Sequence, residues 1–589
     1  MKGVAMRHIA NFFSATICFG AALCLLMRRL LPNLRPNGAQ VSKQPPDQQQ
    51  PSFLRGVLPD CRIWPWLLTG LVWAVCPVLH AEVAQEVSQY GITWKFDKPY
   101  PVGRFVNGDW WVKGPVTVLS VTPEPGPAKS DEQSVELKSR YGNVGSVDNK
   151  DMRNGSMLVL GNEGDNKKTP DFSHGFDSRS KAYKASLSVK FPCSLPVNRS
   201  LVSSISCIHY VNGKLQAEYV CDGLFLCGKY NEQLLETAAI LTCLDKEPPA
   251  DAFRPPYAGI EKPIFRVKDI RWDLLPKLPT PATTPDWDRY ARMLQRPWLD
   301  NIDSWFYMSV VPCQNQPTYG REFLRITGVA SLMMCLDVPN EKKEKVMIGL
   351  LQVGIDTSGL MKNGRIWMCT DGGHWQGRKW PILFASIMLN DEKLRDFPIW
   401  NLDRPFFGHW KYSNGGGDWK TPTTYFCEDT DTYYGKGGDG QTVLGWSEFH
   451  FAPLRPAEIY SLKASGTKDD PKNDDPYRVQ QASALPATAL AALFMNAKAM
   501  WNHDAFFDYV DRVMNQDDNI SCTPFPKWLP QPPKGATYKP RCFDTFVDEM
   551  WAKYRDKAPQ QPGGKEFYKF VWDKDFKGGH FVNNPKGSQ

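Results

Sequence analysis

The sequence lacks an excess of charge of one sign over most of its length. Residues 1–81 hold eight of the 70 basic residues and two of the 63 acidic ones, which leaves 62 and 61 for residues 82–589. This balance argues against nucleic acid as a partner. Hydrophobic residues make up 42% of the chain and charged residues 23%, which excludes both a disordered chain and a polytopic membrane protein.

The sequence also lacks the common motifs for metals and cofactors. It contains no C-x-x-C, H-E-x-x-H, G-x-S-x-G or P-loop pattern. Asp429 and Asp431 begin like a calcium loop, but Gly440 stands where the final glutamate is required. Residues 435–440 match G-x-G-x-x-G, yet the stretch 428–434 before them is acidic and polar and does not resemble a buried strand. We therefore expect no cofactor, with a structural Ca²⁺ ion as the alternative left open.

The N-terminal region, residues 1–81, has the composition of a leader. Two apolar runs, 11–27 and 64–79, flank a linker rich in Pro and Gln at 36–51. The second run resembles the apolar part of a secretory signal, ending at His80-Ala81. The first run is either a membrane anchor or the product of an assigned start that lies upstream of the real one. Both interpretations predict a secreted or periplasmic protein, with membrane contact only through such an N-terminal anchor.

Cysteine usage is compatible with an oxidising compartment. Eleven of the 15 cysteines lie beyond the leader. Cys221 and Cys227 are close in sequence, as are Cys522 and Cys542, so each pair is a candidate disulfide.

The periodicity of apolar residues divides the remainder into a strand-rich part and a helical part. In residues 82–280, Ile92, Trp94 and Phe96 alternate with polar residues, and Asn107-Gly108 is a hairpin turn signal. Further short β runs are expected at 186–191 and 200–210. The pattern predicts a β-sandwich-like domain that ends in a proline-rich connector.

From 281 to 516 the apolar period becomes helical. Repeated helices with glycine-rich loops between them predict an incomplete α/α toroid, although a plain helical bundle fits the same period. The tail, 517–589, is rich in proline and aromatic residues and is expected to pack on the other domains. The fold class is therefore a multidomain α and β protein, β-sandwich-like and then α/α-toroid-like. Apolar stripes mark the expected helices around residues 290–294, 323–333, 346–361, 380–389, 485–501 and 505–514.

One stretch concentrates chemistry-bearing side chains. The segment 371–381 places His374, Gln376, Arg378 and Lys379 in a glycine-rich loop that opens a helix. Glycines let a ligand approach the backbone closely, and a helix N-terminus favours negative charge. These features predict a site for an anionic, hydroxyl-rich ligand, whereas a structural histidine beside a solvated basic face is the alternative.

Three motifs resemble those of a group of secreted, largely uncharacterised bacterial proteins. They are the opening strands over 92–112, the Gly-Gly-His-x-x-Gly-Arg-Lys-Trp-Pro element at 372–381, and the Trp-Asn-His-Asp-Ala-Phe-Phe-Asp-Tyr run at 501–509. The helical half also resembles, more distantly, the α/α-toroid polysaccharide lyases that act on alginate and related uronate polymers. Those enzymes carry an Asn-His pair, whereas here Gly373 precedes His374.

This resemblance implies β-elimination on an acidic polysaccharide, and the sequence can supply each group that the reaction needs. Donors must neutralise the uronate carboxylate, a base must remove the C5 proton, and an acid must protonate the leaving O4. We assign His374 as the base, Tyr433 or Tyr434 as the acid, and Arg378, Lys379 or Gln376 as the group that neutralises the carboxylate. The candidates for substrate binding are Gln376, Lys379, Arg321, His450 and Trp375.

Two other functions stay open at this point. A glycoside hydrolase would use paired carboxylates, with Asp371, Glu428, Asp429 and Asp431 as candidates. A non-catalytic glycan-binding or surface-assembly protein would need only exposed aromatic residues. The acids at 428–431 are expected to repel a polyanion near Tyr433 and Tyr434.

Overall fold

We describe the fold from a computed structural model, in which the described residues fall within the compact unit Val78–Gln589. The described residues are 81–127, 152–159, 173–180, 182–207, 210–211, 214–215, 233–300, 310–317, 319–363, 375–396, 404–405, 418–419, 426–430, 432–434, 443–445, 481–515, 529–562, 568–572 and 579–583.

The strand-rich part forms one eight-stranded sheet. Its strands are β1 (Glu82–Gln89), β2 (Ile92–Arg104), β3 (Trp110–Lys113), β4 (Val116–Thr122), β5 (Ser156–Leu158), β6 (Cys193–Leu195), β7 (Arg199–Ser206) and β10 (Leu235–Leu244). Their order is β5-β7-β10-β3-β2-β4-β6, with β1 paired to β2, and every pairing is antiparallel except that of β10 with β3. Short two-stranded ladders pair β8 (Tyr210–Val211) with β9 (Lys214–Leu215), β11 (Arg404–Pro405) with β12 (Asp418–Trp419), β13 (Thr432–Tyr434) with β14 (Val443–Gly445), and β15 (Tyr568–Trp572) with β16 (Gly579–Asn583).

The alternation predicted in β2 is confirmed, because Ile92, Trp94 and Phe96 are all fully buried. The expected turn at Asn107-Gly108 joins β2 to β3, with a left-handed φ of 89° at Gly108. In β4, both Val118 and Val121 are buried although they are three residues apart. A bulge explains this spacing, because the register against β2 shifts by one residue at Leu119.

The sheet curls, and its inner strand β10 is buried on both faces. Trp94 of β2 donates its indole N–H to Ser203 Oγ of β7 at 2.9 Å, although two strands separate β2 from β7 in the sheet. Along β10, Ile240 packs toward the helices while Leu241 packs into the concave side of the sheet. Burial on both sides explains why this strand is nearly continuously apolar.

The longer elements outside the sheet are helices. The helices are α1 (Trp287–Gln295), α2 (Gly320–Met334), α3 (Asn340–Lys362), α4 (Lys379–Met388), α5 (Cys427–Thr430), α6 (Leu485–Phe494), α7 (Lys498–Trp501), α8 (Asp504–Asn515) and α9 (Thr545–Tyr554). Each apolar stripe predicted from the sequence between 290 and 514 lies on a helix, with the 485–501 stripe divided between α6 and α7 at Met495–Ala497. The chain is thus a mixed α and β protein with a curled sheet and several helices.

One local expectation was wrong, and one helix was not predicted. Residues 186–191 were expected to form a strand, but a 3₁₀ helix occupies Ala185–Leu187 and the next strand begins at Cys193. The segment contains Pro192, which lacks an N–H for a ladder. In the tail, α9 was not anticipated; the Asp544 carboxylate just before it accepts two hydrogen bonds from Arg325 of α2, at 2.6 and 2.8 Å.

A buried arginine joins the sheet to the helices. Arg254 donates to Asp109, next to the β2–β3 turn, at 2.5 Å and to both carboxylate oxygens of Asp356 on α3. All three groups are buried, so each charge depends on the others for compensation. Within the parts of the chain that the structure describes, no helix has the length and apolarity needed to span a membrane.

Candidate functional site

Three segments that are distant in sequence meet at Glu428 and the residues that follow it. Its Oε2 accepts the backbone N–H of Gly377 at 3.2 Å, and its Oε1 accepts that of Lys379 at 3.0 Å. Lys379 begins α4, and Arg378 before it provides no side-chain cap. A helix N-terminus leaves backbone donors without partners inside the helix. Glu428 satisfies one such donor of α4 and places negative charge at the positive end of the helix dipole.

Gly377 allows this contact because of its backbone conformation. It has a φ of 94°, a region that side chains with a Cβ rarely adopt. A Cβ at this position would lie 2.4 Å from the backbone nitrogen of Leu324 on α2. The glycine of the Gly-Arg-Lys-Trp-Pro element is therefore required by a positive φ and by close packing against α2.

The third segment joins through Asp429 and Thr432. The ammonium of Lys379 donates to Asp429, which also accepts the indole N–H of Trp501 at 2.8 Å. The Thr432 carbonyl lies 2.7 Å from His503 Nε2. Because a carbonyl only accepts, Nε2 carries the proton. We call Gly377, Lys379, Glu428, Asp429, Thr432, Trp501 and His503 the Glu428 cluster.

Arg378 is held beside this cluster by a buried carboxylate. Its Nε and Nη2 donate to the two oxygens of Asp300 at 2.9 and 3.0 Å, and its Nη1 donates to the Gln376 carbonyl at 2.7 Å. The guanidinium carbon lies 4.1 Å from the ring centre of Phe323. Arg378 is 1% exposed, so this two-point ion pair fixes the side chain in the interior.

The environment changes the acidity of Glu428. Burial disfavours the charged form, and the neighbouring Asp429 carboxylate adds repulsion. Hydrogen bonds from the backbone and the Lys379 charge act in the opposite direction. The balance raises the pKa of Glu428 from 4.5 to about 7. A carboxyl group with this pKa exchanges protons near neutral pH, which suits either acid–base chemistry or a protonation-dependent contact.

The structure brings several of the site residues predicted from the sequence into one region, but buries them. Gln376, Arg378 and Lys379 are 1%, 1% and 5% exposed. Trp375 packs in an apolar cluster with Ile382 and Phe426 and does not present its ring to solvent.

The other predicted site residues are placed as follows. Arg321 is fully buried on α2, where it donates twice to Glu322 at 2.8 and 3.0 Å. The backbones of Tyr433 and Tyr434 lie in β13, directly after Thr432 of the Glu428 cluster. His374 and His450 lie outside the described residues.

The expectation for residues 428–434 was wrong in two respects. The stretch contains a strand, β13, and the Glu428 and Asp429 side chains are buried at 0% and 1% exposure. The physical reason is compensation: the Lys379 ammonium and the amides at the start of α4 face these carboxylates. Asp371 and Asp431, the other hydrolase candidates, lie outside the described residues.

Sequence reasoning missed Asp300, Trp501 and His503 as partners at this site. Asp300 gave no signal, because it is a single acid that follows the apolar residues Trp298 and Leu299. The Trp-Asn-His sequence did carry one: Asn502 adopts a left-handed conformation with a φ of 59°, as asparagine often does at a helix end. That turn separates Trp501 from His503, and both hydrogen-bond to the 429–432 stretch.

Two further features of the sequence concern the predicted disulfides and the possible metal ligands. Cys542 is a free thiol, so the expected pair with Cys522 is not formed, while Cys221, Cys227 and Cys522 lie outside the described residues. Among the described segments, no three His, Cys, Asp or Glu side chains form a group that could hold a metal ion. Comparison with known proteins found no match for this chain among family models, curated proteins or solved structures.

Proposed function

We propose that the protein is an exported polysaccharide-degrading enzyme, a lyase that cleaves uronate-containing polymers by β-elimination. The observation that carries this proposal is the convergence at the Glu428 cluster. The loop that follows His374 and the strand that contains Tyr433 and Tyr434 belong to segments joined by Glu428. A base and an acid drawn from these two segments are the pair that β-elimination needs.

In this proposal the buried cations act as supports. Because Arg378 and Lys379 are paired with Asp300 and Asp429, we now assign them to holding the loop and the start of α4. His374 is proposed as the base that removes the C5 proton, and Tyr433 or Tyr434 as the acid that protonates O4. Gln376 is buried beside these groups and is proposed to help hold the loop.

The test is a panel of acidic polysaccharides with the purified protein, followed by the ultraviolet absorbance of new unsaturated uronate ends. We expect His374→Ala to lose activity by roughly 10²–10⁴-fold, the usual contribution of a general base. Tyr433→Phe and Tyr434→Phe remove one hydroxyl each, and the larger loss identifies the acid. A stable and fully active His374→Ala protein would contradict the assignment.

A glycoside hydrolase is the second candidate, favoured by the pKa of about 7 at Glu428 beside Asp429. A hydrolase would release reducing ends without ultraviolet absorbance and would lose activity in Glu428→Gln. The lyase is preferred because Glu428 is fully buried and both its oxygens accept backbone amides. Binding of polymer without cleavage would instead indicate a glycan-binding protein.

We also propose the finer architecture and the location suggested by the sequence. The curled sheet is proposed as a β-sandwich-like domain, and the helices from α1 onward as an α/α-toroid-like domain. Residues 1–81 are proposed as a leader that is absent from the exported protein. Mass spectrometry of exported protein is expected to find an N-terminus near Ala81, and intact Met1 on exported soluble protein would contradict this.

A further inference from the structure

The carboxylate of Glu428 makes a contact that requires two acceptor atoms. Both of its partners, the amides of Gly377 and Lys379, are backbone donors. An ionised carboxylate offers an acceptor to each, whereas a protonated carboxyl turns one oxygen into a donor. The side chain is fully buried, so water does not replace a lost partner freely. Ionisation therefore decides whether the contact holds at both amides.

The charged groups around Glu428 come from each segment packed against it. Asp429 lies on its own element, and the Lys379 ammonium comes from α4. On the same loop, Arg378 is neutralised by Asp300. From the third segment, His503 donates to the Thr432 carbonyl, and the Thr432 hydroxyl donates to the Glu428 carbonyl at 2.9 Å. With these partners in place, burial and Asp429 raise the pKa of Glu428 to about 7, so both forms occur near neutral pH.

We propose that Glu428 is a positioning residue, a clamp that fixes the 375–379 loop at two backbone amides while ionised and releases one of them when protonated. The loop follows His374 directly, so the clamp sets where that side chain is held. This consequence for catalysis rests on the proposed function, whereas the clamp itself does not. Release is a local opening in which Glu428 stays buried, unlike global unfolding, in which Glu428 reaches water. Because the Lys379 amide lowers the pKa of Glu428 in the closed loop, ionisation favours the closed loop, and the loop is more ordered at the alkaline side.

The structure provides a matched control. Asp548 on α9 is also buried, and its Oδ1 accepts the amides of Arg541 and Cys542 at 3.0 Å each. Burial raises the pKa of Asp548 to about 7 as well. Asp548 belongs to a different region of the chain, so Asp548→Asn removes a similar titrating group without touching the 375–379 loop.

The test is amide hydrogen exchange of the full chain at about pH 5.5 and about pH 8.5, expressed as protection factors for the 375–380 segment. In the wild type we expect protection to rise roughly five- to tenfold toward alkaline pH, the effect of one hydrogen bond. In Glu428→Gln the rise should vanish, and in Asp548→Asn it should remain. The wild-type measurement stands alone if a variant fails to fold. Equal wild-type protection at both pH values, or an unchanged rise in Glu428→Gln, would overturn the clamp.

The second arm measures kcat on whichever polymer of the panel is cleaved. The kcat of Glu428→Gln divided by the kcat of the wild type should be lower at about pH 8.5 than at about pH 5.5. The reason is that the wild-type clamp is ionised, and holds both amides, only at the higher pH, so the substitution removes it only there. Taking the ratio at each pH removes any pH dependence that the two proteins share. For Asp548→Asn the ratio should be the same at both pH values. If no polymer is cleaved, the proposed function fails while hydrogen exchange still decides the clamp. A Glu428→Gln ratio that does not change with pH would show that the clamp does not position the site.

Discussion

Glu428 and Asp548 are two buried carboxylates that accept two backbone amides each, yet they differ in how far those amides lie along the chain. The partners of Asp548 are six and seven residues away, in the turn that precedes α9. The partners of Glu428 are 49 and 51 residues away, at the start of α4. Burial raises both pKa values to about 7. Similar chemistry is thus assembled locally in one region and only by tertiary folding in the other.

The surroundings of the two carboxylates differ as well. Beside Glu428, a buried Lys379–Asp429 pair shares the interior. In the Asp548 region, the Lys553 ammonium pairs with Glu549; the lysine side chain is 51% exposed, while the glutamate side chain is 10% exposed and also accepts the Thr283 hydroxyl. A cation in the interior compensates a charge that water cannot reach, while a surface cation is screened by solvent. The comparison indicates that the Glu428 cluster depends on its lysine, whereas α9 does not depend on Lys553.

Among these variants, Lys379→Met should lower the free energy of unfolding most. It leaves Asp429 without its ammonium partner, and a buried pair that loses one member costs about 3–5 kcal/mol of unfolding free energy. Lys553→Met is the control, with an expected cost below about 0.5 kcal/mol, because the Lys553 ammonium is exposed and Glu549 keeps its hydrogen bond from Thr283. Urea denaturation measures both. Equal losses in the two variants would show that burial of the Lys379 pair has no energetic importance.

Gly377→Ala tests the close packing of the 375–379 loop against α2, and Gly535→Ala is the control variant. Both glycines have a left-handed φ, 94° and 90°, so both alanines are strained by about 1–2 kcal/mol. Only at Gly377 does the added Cβ meet backbone, 2.4 Å from Leu324 N, while nothing lies within 4 Å at Gly535. Overpacking should add about 1–3 kcal/mol at Gly377. Thermal unfolding of the two proteins gives the difference, and similar melting temperatures would refute it.

The third prediction concerns the pH dependence of stability, in which the two carboxylates should behave alike. The pKa of Glu428 rises from 4.5 and that of Asp548 from 3.8, each to about 7 in the folded protein. Between those values the native state binds more protons than the unfolded state, so stability falls as pH rises toward 7. Each group contributes about 1.4 kcal/mol per pH unit in that window. Glu428→Gln and Asp548→Asn should each flatten the decline of the urea midpoint, and an unchanged slope in both would contradict this.

Much of the local structure could be predicted from the sequence. Stripes such as Phe323, Ile326 and Val329 predicted α2, because a helix that buries one face needs apolar residues at that spacing. The alternation at Ile92 to Phe96 predicted β2 for the corresponding reason in a strand. The one-residue shift at Leu119 escaped prediction, since a bulge is set by pairing with a neighbour.

Less of the candidate site could be predicted from the sequence. Gln376, Arg378 and Lys379 stood out as polar residues beside glycines, and they do meet in one region. Their burial was not foreseen, because it depends on Asp300 and Asp429 reaching them from other parts of the chain. From sequence alone, a cationic residue is expected to be exposed to solvent unless a buried partner is known. The acids at 428 and 429 were expected to repel a polyanion for the same reason, since their buried cationic partner was not known.

The sequence by itself determined where apolar faces repeat, and hence most helices and strands of the described chain. It also determined the turn at Gly108 and the glycine at 377, where backbone conformation restricts the residue type. Only the tertiary structure decided which charges lie together in the interior. Periodicity is a local property of the chain, but compensation of a buried charge requires a partner whose distance in sequence is arbitrary. Glu428 and the start of α4 are such partners, and folding alone brings them together.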